Sequence, residues 1–328
     1  MMKFYESHFD EYVTSVEKIN LHPKIEKHVF NKFPDDIKKL NNVLFYGPPG
    51  VGKYSQMLSC LKKYSPSDLK YEKRFTITFN KQDYHFKISD VHYEVDMAIL
   101  GCNSKLLWHD IYQQIIDVIS AKNDKHGIIV CKNFHEIHSE LLDNFYSYMQ
   151  NTLMEHMKIV FVLISEHISF LPTNIIQCCQ VIHVPRPSAA LYKKCIPYTK
   201  KGTNIADITN IKNLNTDNLP MNYSDTIVSN LYNYITIDTA LFKFTNLREL
   251  LYDMLIYDVN IHETIWSILQ KLVQDNRLDN TDINNVLLKT HSFLKYFNNN
   301  YRPIYHLEHY AIYLIDTINK TEKKNETN

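Results

Sequence analysis

The sequence predicts an α/β fold, a parallel sheet with helices on both faces, followed by an all-helical part. Three observations predict it. Apolar segments of strand length alternate with helical segments up to Pro187. A glycine-rich turn separates a strand from a helix at residues 47–53. After Pro187 the apolar spacing is almost wholly helical. Strands that are apolar throughout indicate a sheet covered on both faces.

The elements follow from apolar patterning, taken in chain order. Residues 1–40 have a helical and polar character, with a loop at 21–23. Two strands that alternate apolar and polar residues around Lys81 to Asp83 indicate a hairpin. Apolar residues spaced by three and four indicate helices. The predicted strands are residues 42–46, 75–79, 84–88, 92–95, 127–131, 159–164 and 181–184. The predicted helices of this half include residues 53–63, 106–119 and 139–157.

The composition excludes some classes of function. Basic and acidic residues number 36 each, so the formal net charge is zero. Proteins that coat nucleic acid non-specifically are usually strongly basic, which leaves binding through helix N-termini or within a larger assembly. The six cysteines form no C-x-x-C pair. No apolar run approaches the roughly 20 residues that span a bilayer. We therefore expect an intracellular protein without a membrane segment, in the cytosol or the nucleus.

The glycine-rich turn fits the pattern G-x-x-x-x-G-K of a phosphate-binding loop. Glycines let the backbone turn tightly, so that successive N–H groups point at a phosphate. The helix N-terminus adds its dipole, and Lys53 adds a full charge at the β- and γ-phosphates. A strand precedes the turn and a helix follows it, as this motif requires. The residues expected to bind a nucleotide here are Gly47, Pro48, Pro49, Gly50, Val51, Gly52, Lys53, Tyr54 and Ser55.

The residue types that hold Mg²⁺ and activate water in this motif are missing. The position after the lysine needs a Ser or Thr hydroxyl for the metal, but it is Tyr54, and Ser55 comes one residue late. After the strand at 127–131, an active ATPase has Asp and Glu, whereas this chain has Lys132 and Asn133. Each loss costs about 10²-fold or more in rate. We expect ATP or ADP to bind with weak or absent Mg²⁺, with little turnover and no catalytic residue.

The order of these motifs resembles the small subunits of replication factor C, the sliding-clamp loader of the AAA+ family. The resemblance covers roughly residues 4–318, and it is closest to the subunit whose own ATP site is degenerate. That subunit also lacks Ser or Thr after the loop lysine, and its collar is similar to residues 304–308. The departures also suit a fast-evolving genome, such as that of a large DNA virus. The segments that carry the resemblance are residues 44–53, 127–137, 159–179, 184–188 and 246–251.

The resemblance implies three domains: an AAA+ base at 1–187, a helical lid at 188–257 and a helical collar at 258–328. It also implies a hetero-pentamer with other clamp-loader subunits, and binding of a sliding clamp and of primer–template DNA. In this family Arg248 would contact the nucleotide from the lid, as a sensor-2 arginine. The family's arginine finger is absent, because its Ser-Arg-Cys motif is replaced by residues 177–179, Gln-Cys-Cys.

Two other functions stay open on the sequence alone. The chain could be an active AAA+ ATPase of DNA replication or repair with relocated groups, using Ser55 and Glu136. Alternatively, it could be a structural adaptor that has lost the nucleotide altogether. Turnover abolished by Lys53→Ala would favour the first alternative. The absence of saturable nucleotide binding would favour the second.

Overall fold

The computed structural model describes residues 8–150, 157–195, 223–237, 241–257, 259–297 and 302–326. The chain divides into two compact units, residues 1–219 and 220–328. The first unit is α/β and contains the glycine-rich turn. The described part of the second unit is helical. The domain boundaries expected at 187/188 and 257/258 stay predictions.

Seven strands form one sheet at the centre of the first unit, in the order β2-β3-β4-β5-β6-β1-β7. Pairing is parallel from β4 to β7 and antiparallel in the β2-β3-β4 part. All seven strands were predicted to within two residues at each end. The strands are β1 (Asn42–Tyr46), β2 (Lys73–Phe79), β3 (Gln82–Ile88), β4 (His92–Asp96), β5 (His126–Lys132), β6 (Lys158–Ser165) and β7 (Cys179–His183).

Buried apolar clusters cover both faces of this sheet, which confirms the predicted α/β class. One cluster is built around Trp108, Phe145 and Phe161. The other contains Phe45 of β1 with Met57 of the helix that follows the turn. The helix predicted at 139–157 extends to residue 150, and residues 151–156 lie outside the described part. The helices of this unit are α1 (Phe9–Lys18), α2 (Pro23–His28), α3 (Lys53–Lys62), α4 (Ser104–Ser120), α5 (Ser139–Gln150), α6 (Thr173–Gln177) and α7 (Ala189–Cys195).

The second unit packs its described helices around a separate apolar core. Leu251, Leu272 and Leu314 are among its most buried side chains. The all-helical character predicted after Pro187 is confirmed for these residues. Within the described residues of the whole chain, no helix combines the length and apolar composition that a membrane crossing requires. The helices are α8 (Tyr223–Ile235), α9 (Phe244–Ile256), α10 (Ile261–Gln274), α11 (Asn280–Tyr296) and α12 (Pro303–Glu326).

Candidate functional site

The glycine-rich turn lies at the carboxyl edge of the sheet, between β1 and α3. Strands β4, β5 and β6 lie on one side of β1, and β7 lies on the other. The connections of the sheet therefore diverge beside the end of β1. In open α/β sheets this is the place where ligands bind, in the crevice outside the carboxyl ends of the strands.

The backbone of the turn depends on its glycines. A Cβ on Gly47 would lie 2.1 Å from the carbonyl oxygen of Val184, so only glycine fits beneath the end of β7. Gly50 and Gly52 have φ of 71° and 91°, in the left-handed region that favours glycine. Gly52 is also the N-cap of α3 and has no side chain to cap it. Among the described residues, no backbone acceptor is found for the N–H groups of residues 53–55. These N–H groups can therefore donate to an anion.

Lys53 lies inside the turn, with its side chain almost fully buried. Its Nζ donates to the carbonyl oxygens of Gly47 and Pro48, at 2.7 Å each. Glu166, which follows β6, places Oε1 3.8 Å from the same Nζ. Burial lowers the pKa of Lys53, and the negative charge of Glu166 offsets part of that effect. The ammonium is thus held over the turn by neutral carbonyls and one carboxylate, a set that a phosphate oxygen can replace.

A buried histidine supports the turn from the N-terminal segment. The Nε2–H of His22 donates to the carbonyl oxygen of Val51 at 2.8 Å. The side-chain oxygen of Asn20 accepts from the backbone N–H of His22 and from Nε2 of Gln56, which lies on α3. Burial lowers the pKa of His22, which favours the neutral ring. These bonds join the loop before α2 to both the turn and the helix that follows it.

Three further side chains extend from the lysine along the carboxyl edge. Glu166 Oε2 is 3.8 Å from Nε2 of His135, and that nitrogen is 3.6 Å from Oε1 of Glu136. His135 and Glu136 belong to the turn after β5. Glu136, which the sequence offered as a relocated base, is thus connected to Lys53 through two intervening side chains. The carboxylate nearest to Lys53 is instead Glu166.

Tyr54 points away from the turn and into the sheet. Its hydroxyl donates to Oε1 of Glu94 at 2.7 Å, and Glu94 lies on β4 with a side chain only 1% exposed. The Nε2–H of His92 donates to the same oxygen at 3.3 Å, and Nζ of Lys132 lies 3.3 Å from Oε2. Burial alone would raise the pKa of Glu94. The hydrogen bonds of His92 and Tyr54 and the charge of Lys132 outweigh burial and hold that pKa below its usual value.

These residues do not fit Mg²⁺. The phenol of Tyr54 is bonded to Glu94, and the place of the metal-binding carboxylate is taken by the cation of Lys132. Asp96, at the end of β4, accepts two hydrogen bonds from Nδ2 of Asn133, at 3.0 and 3.2 Å. No group of three or more His, Cys, Asp or Glu side chains in the described ranges could hold a metal ion. A nucleotide-bound Mg²⁺ takes one or two oxygens from the protein and the remainder from phosphate and water. At the two positions where the motif supplies those oxygens, this chain has a hydrogen-bonded phenol and a cation, so the donor set disagrees with this metal.

Arg248 lies on α9 of the second unit and is engaged within that unit. Its guanidinium makes two hydrogen bonds to the carboxylate of Glu308 on α12 and lies 4.8 Å from the ring centroid of Phe244. The sequence did not predict this ion pair. The sensor role of Arg248 toward a nucleotide stays a prediction.

The structure brings the predicted loop residues together at one edge of the sheet. It also adds Glu94, Glu166 and His22, which sequence reasoning missed. A signal existed for Glu94, because it is an acidic residue between Tyr93 and Val95 in a predicted strand. A weaker signal existed for Glu166, a charged residue directly after the apolar strand β6. His22 gave no signal beyond its place in a loop.

Comparisons with known proteins give no family for this chain. No family model matches the sequence, and no curated protein matches it. Among solved structures, it is similar to the Thermotoga maritima RuvB Holliday junction branch migration motor, with 12% identity and a TM-score of 0.38 over 91% of this chain and 89% of that one. It is also similar to PCH-2 of C. elegans, with 15% identity and a TM-score of 0.34 over 58% of this chain. The match spans 47% of the length of PCH-2. The α/β class assigned here depends on the chain's own sheet and helices.

Proposed function

We propose that this chain is a P-loop protein of the AAA+ type that binds ATP or ADP and hydrolyses it poorly or not at all. The observation that carries the proposal is the turn at residues 47–53. Its glycines allow the backbone to turn tightly between β1 and α3, and the first N–H groups of α3 are uncapped. The side chain of Lys53 lies inside this turn. Together these groups form a site for a polyphosphate at the carboxyl edge of the sheet.

The chemistry of the same site argues against efficient hydrolysis. A bound nucleoside triphosphate would supply the phosphoryl group, and the chain would supply binding and orientation. Lys53 and the loop N–H groups can stabilise negative charge on the phosphates. Glu94 accepts a hydrogen bond from Tyr54, pairs with the charge of Lys132 and is almost completely buried, so it is poorly placed to ligate a metal or to accept a proton from water. Asn133 follows Lys132 and is a neutral amide, which is a poor base.

We further propose that the chain works as a small subunit of a sliding-clamp loader. This role is supported by the order of sequence motifs and by the degenerate site after Lys53. In such an assembly, a subunit that retains its nucleotide without hydrolysing it would have a structural role. Its partners would be the other loader subunits, a sliding clamp and primer–template DNA. Purification from the native source with mass spectrometry of co-purifying chains tests this role. Recovery of the chain alone, without related subunits or a clamp, would contradict it.

One observation favours the rival function of an active ATPase. Glu166, His135 and Glu136 form a connected group that begins 3.8 Å from the ammonium of Lys53. A carboxylate in this position could activate a water molecule if the site also bound a metal.

Binding and turnover assays on the purified chain separate these functions. We expect saturable binding of a fluorescent ADP analogue at micromolar concentration, and phosphate release near background. Lys53→Ala should weaken the binding by at least about tenfold, which corresponds to 1.4 kcal/mol. Lys62→Ala removes a lysine from the other end of the same helix and should leave binding unchanged. Rapid phosphate release that requires Lys53 and Glu166 would establish the rival, and absent binding would favour the nucleotide-free adaptor.

A further inference from the structure

Lys132 ends strand β5, where an active P-loop ATPase carries the carboxylate that holds its metal. Its side chain is 29% exposed, although it lies against a carboxylate that is almost completely buried. The Nζ atom is 3.3 Å from Oε2 of Glu94 and 5.6 Å from the ring centroid of Tyr54. In the sequence, Lys132 indicated only the loss of an acidic residue at this position. The structure shows a positive charge fixed at the carboxyl edge of the sheet.

Tyr54 connects this charge to the phosphate-binding turn. Its backbone follows Lys53 in the first turn of α3, and its ring lies beneath the ammonium of Lys132. The Tyr54 hydroxyl and the Lys132 ammonium contact opposite oxygens of the Glu94 carboxylate. The two positions that would normally hold Mg²⁺, after the loop lysine and at the end of β5, are therefore joined through one buried acid.

We propose that Lys132 replaces Mg²⁺ as the second positive charge of the site, so that the chain binds a nucleoside di- or triphosphate without a divalent cation. This inference rests on the proposed nucleotide-binding function. An ammonium is a compact point charge with three donors that binds phosphate oxygens. The contact with Glu94 is an ion pair in which Oε2 accepts no hydrogen bond, so the donors of the partly exposed ammonium are available to a phosphate.

Charge balance supports the same conclusion. A dication placed beside Lys132 would be repelled by the ammonium. Oε1 of Glu94 already accepts two hydrogen bonds, and Oε2, which accepts none, is buried and lies 3.3 Å from the Lys132 ammonium. Beside Lys132, a second carboxylate that could compete for a metal is Asp96, which pairs in register with Lys132 across β4 and β5. Asp96 already accepts hydrogen bonds from Asn133 and from the backbone N–H of Ala98. A metal would have to break these bonds to bind.

The test is a titration of the full chain with a fluorescent ADP analogue, once in excess EDTA and once in MgCl₂. We expect the two dissociation constants to agree within about threefold, where tenfold corresponds to 1.4 kcal/mol. Lys132→Met should weaken binding by about tenfold in EDTA, as expected from the loss of one charge-assisted contact. Lys125→Met, in the turn before the same strand, is the matched control and should bind like the unmodified chain.

Lys132→Met leaves Glu94 with fewer partners and could unfold the unit. The double variant Glu94→Gln with Lys132→Met removes both charges of the ion pair and keeps an acceptor for the phenol of Tyr54. It should show the same loss of affinity.

A gain in affinity of tenfold or more from Mg²⁺ in the unmodified chain overturns the inference. Loss of that gain in Asp96→Asn would identify the metal ligand. Unchanged affinity of the double variant overturns it too. Absence of binding in both buffers would overturn the nucleotide-binding function itself.

Discussion

Substitution of Tyr54 by Phe removes one oxygen atom from a buried network and leaves the remainder of the side chain in place. The ring keeps its edge contact with Tyr12, at a centroid distance of 5.0 Å, and its contact with Lys132. The bond that is lost is the 2.7 Å donation from the phenol to Glu94. No other part of the phosphate-binding turn has to move.

The magnitude of this loss follows from the burial and charge of the acceptor. Glu94 has a side chain 1% exposed, so water cannot easily replace the lost donor. A hydrogen bond to a charged group contributes about 1.5–3 kcal/mol. His92 and Lys132 still compensate the carboxylate in the variant, so the lower half of that range applies. We expect Tyr54→Phe to reduce the free energy of unfolding of the first unit by about 2 kcal/mol.

The chain has two tryptophans, one in each unit, so the unfolding of the first unit can be measured separately. Trp108 is fully buried in the core of the first unit, whereas Trp266 is 47% exposed in the second. Urea unfolding is measured by tryptophan fluorescence in a Trp266→Phe background, so that Trp108 alone reports. Tyr71→Phe is the control, because that side chain is 69% exposed and should change stability little. A loss below about 0.5 kcal/mol in Tyr54→Phe, the range of ordinary surface substitutions, would refute the reasoning.

Two further predictions concern the carboxylates of the site. The pKa of Glu94 is lowered in the folded state, so its contribution to stability is present above the usual Glu pKa of about 4.3 and is lost as the pH falls below it. Urea unfolding at several acidic pH values should therefore show a shallower loss of stability in Glu94→Gln than in the unmodified chain, and equal slopes would contradict this. Glu166→Gln removes a negative charge 3.8 Å from Lys53 and should strengthen ADP binding by about fivefold. This change in affinity is smaller than the tenfold change that corresponds to about 1.4 kcal/mol. Unchanged or weaker binding in the same titration would contradict it.

The strands were predictable because their pattern is local. The run at residues 159–164 contains only apolar residues, and a segment of this length and composition belongs in a sheet covered on both faces. The hairpin of β2 and β3 followed from alternation on each side of a polar turn. The order of the strands was not predictable, since it depends on which apolar faces meet in the folded unit.

The candidate site was predictable only where its residues are adjacent in sequence. The glycines and Lys53 are separated by at most six positions, so the motif specifies their geometry. The partners of that motif come from elsewhere: His22 lies 29 residues before Val51, and Glu94 lies 40 residues after Tyr54. No periodicity connects such positions. The sequence showed that Tyr54 cannot ligate a metal, but it could not show what the phenol does instead.

The contacts of Glu94 give a physical reason why the two departures from the motif occur together. Threonine at position 54 would have no phenol to reach Glu94, and the buried carboxylate would lose a donor. Aspartate at position 132 would place a second negative charge beside Glu94, and two neighbouring carboxylates oppose each other's ionisation. Each substitution toward an active ATPase is therefore destabilising while Glu94 is present. Recovery of a metal site would require changes at positions 54, 94 and 132 together. On the proposed function, weak hydrolysis would follow from an interaction within the core, and a single substitution at the surface of the turn should not restore it.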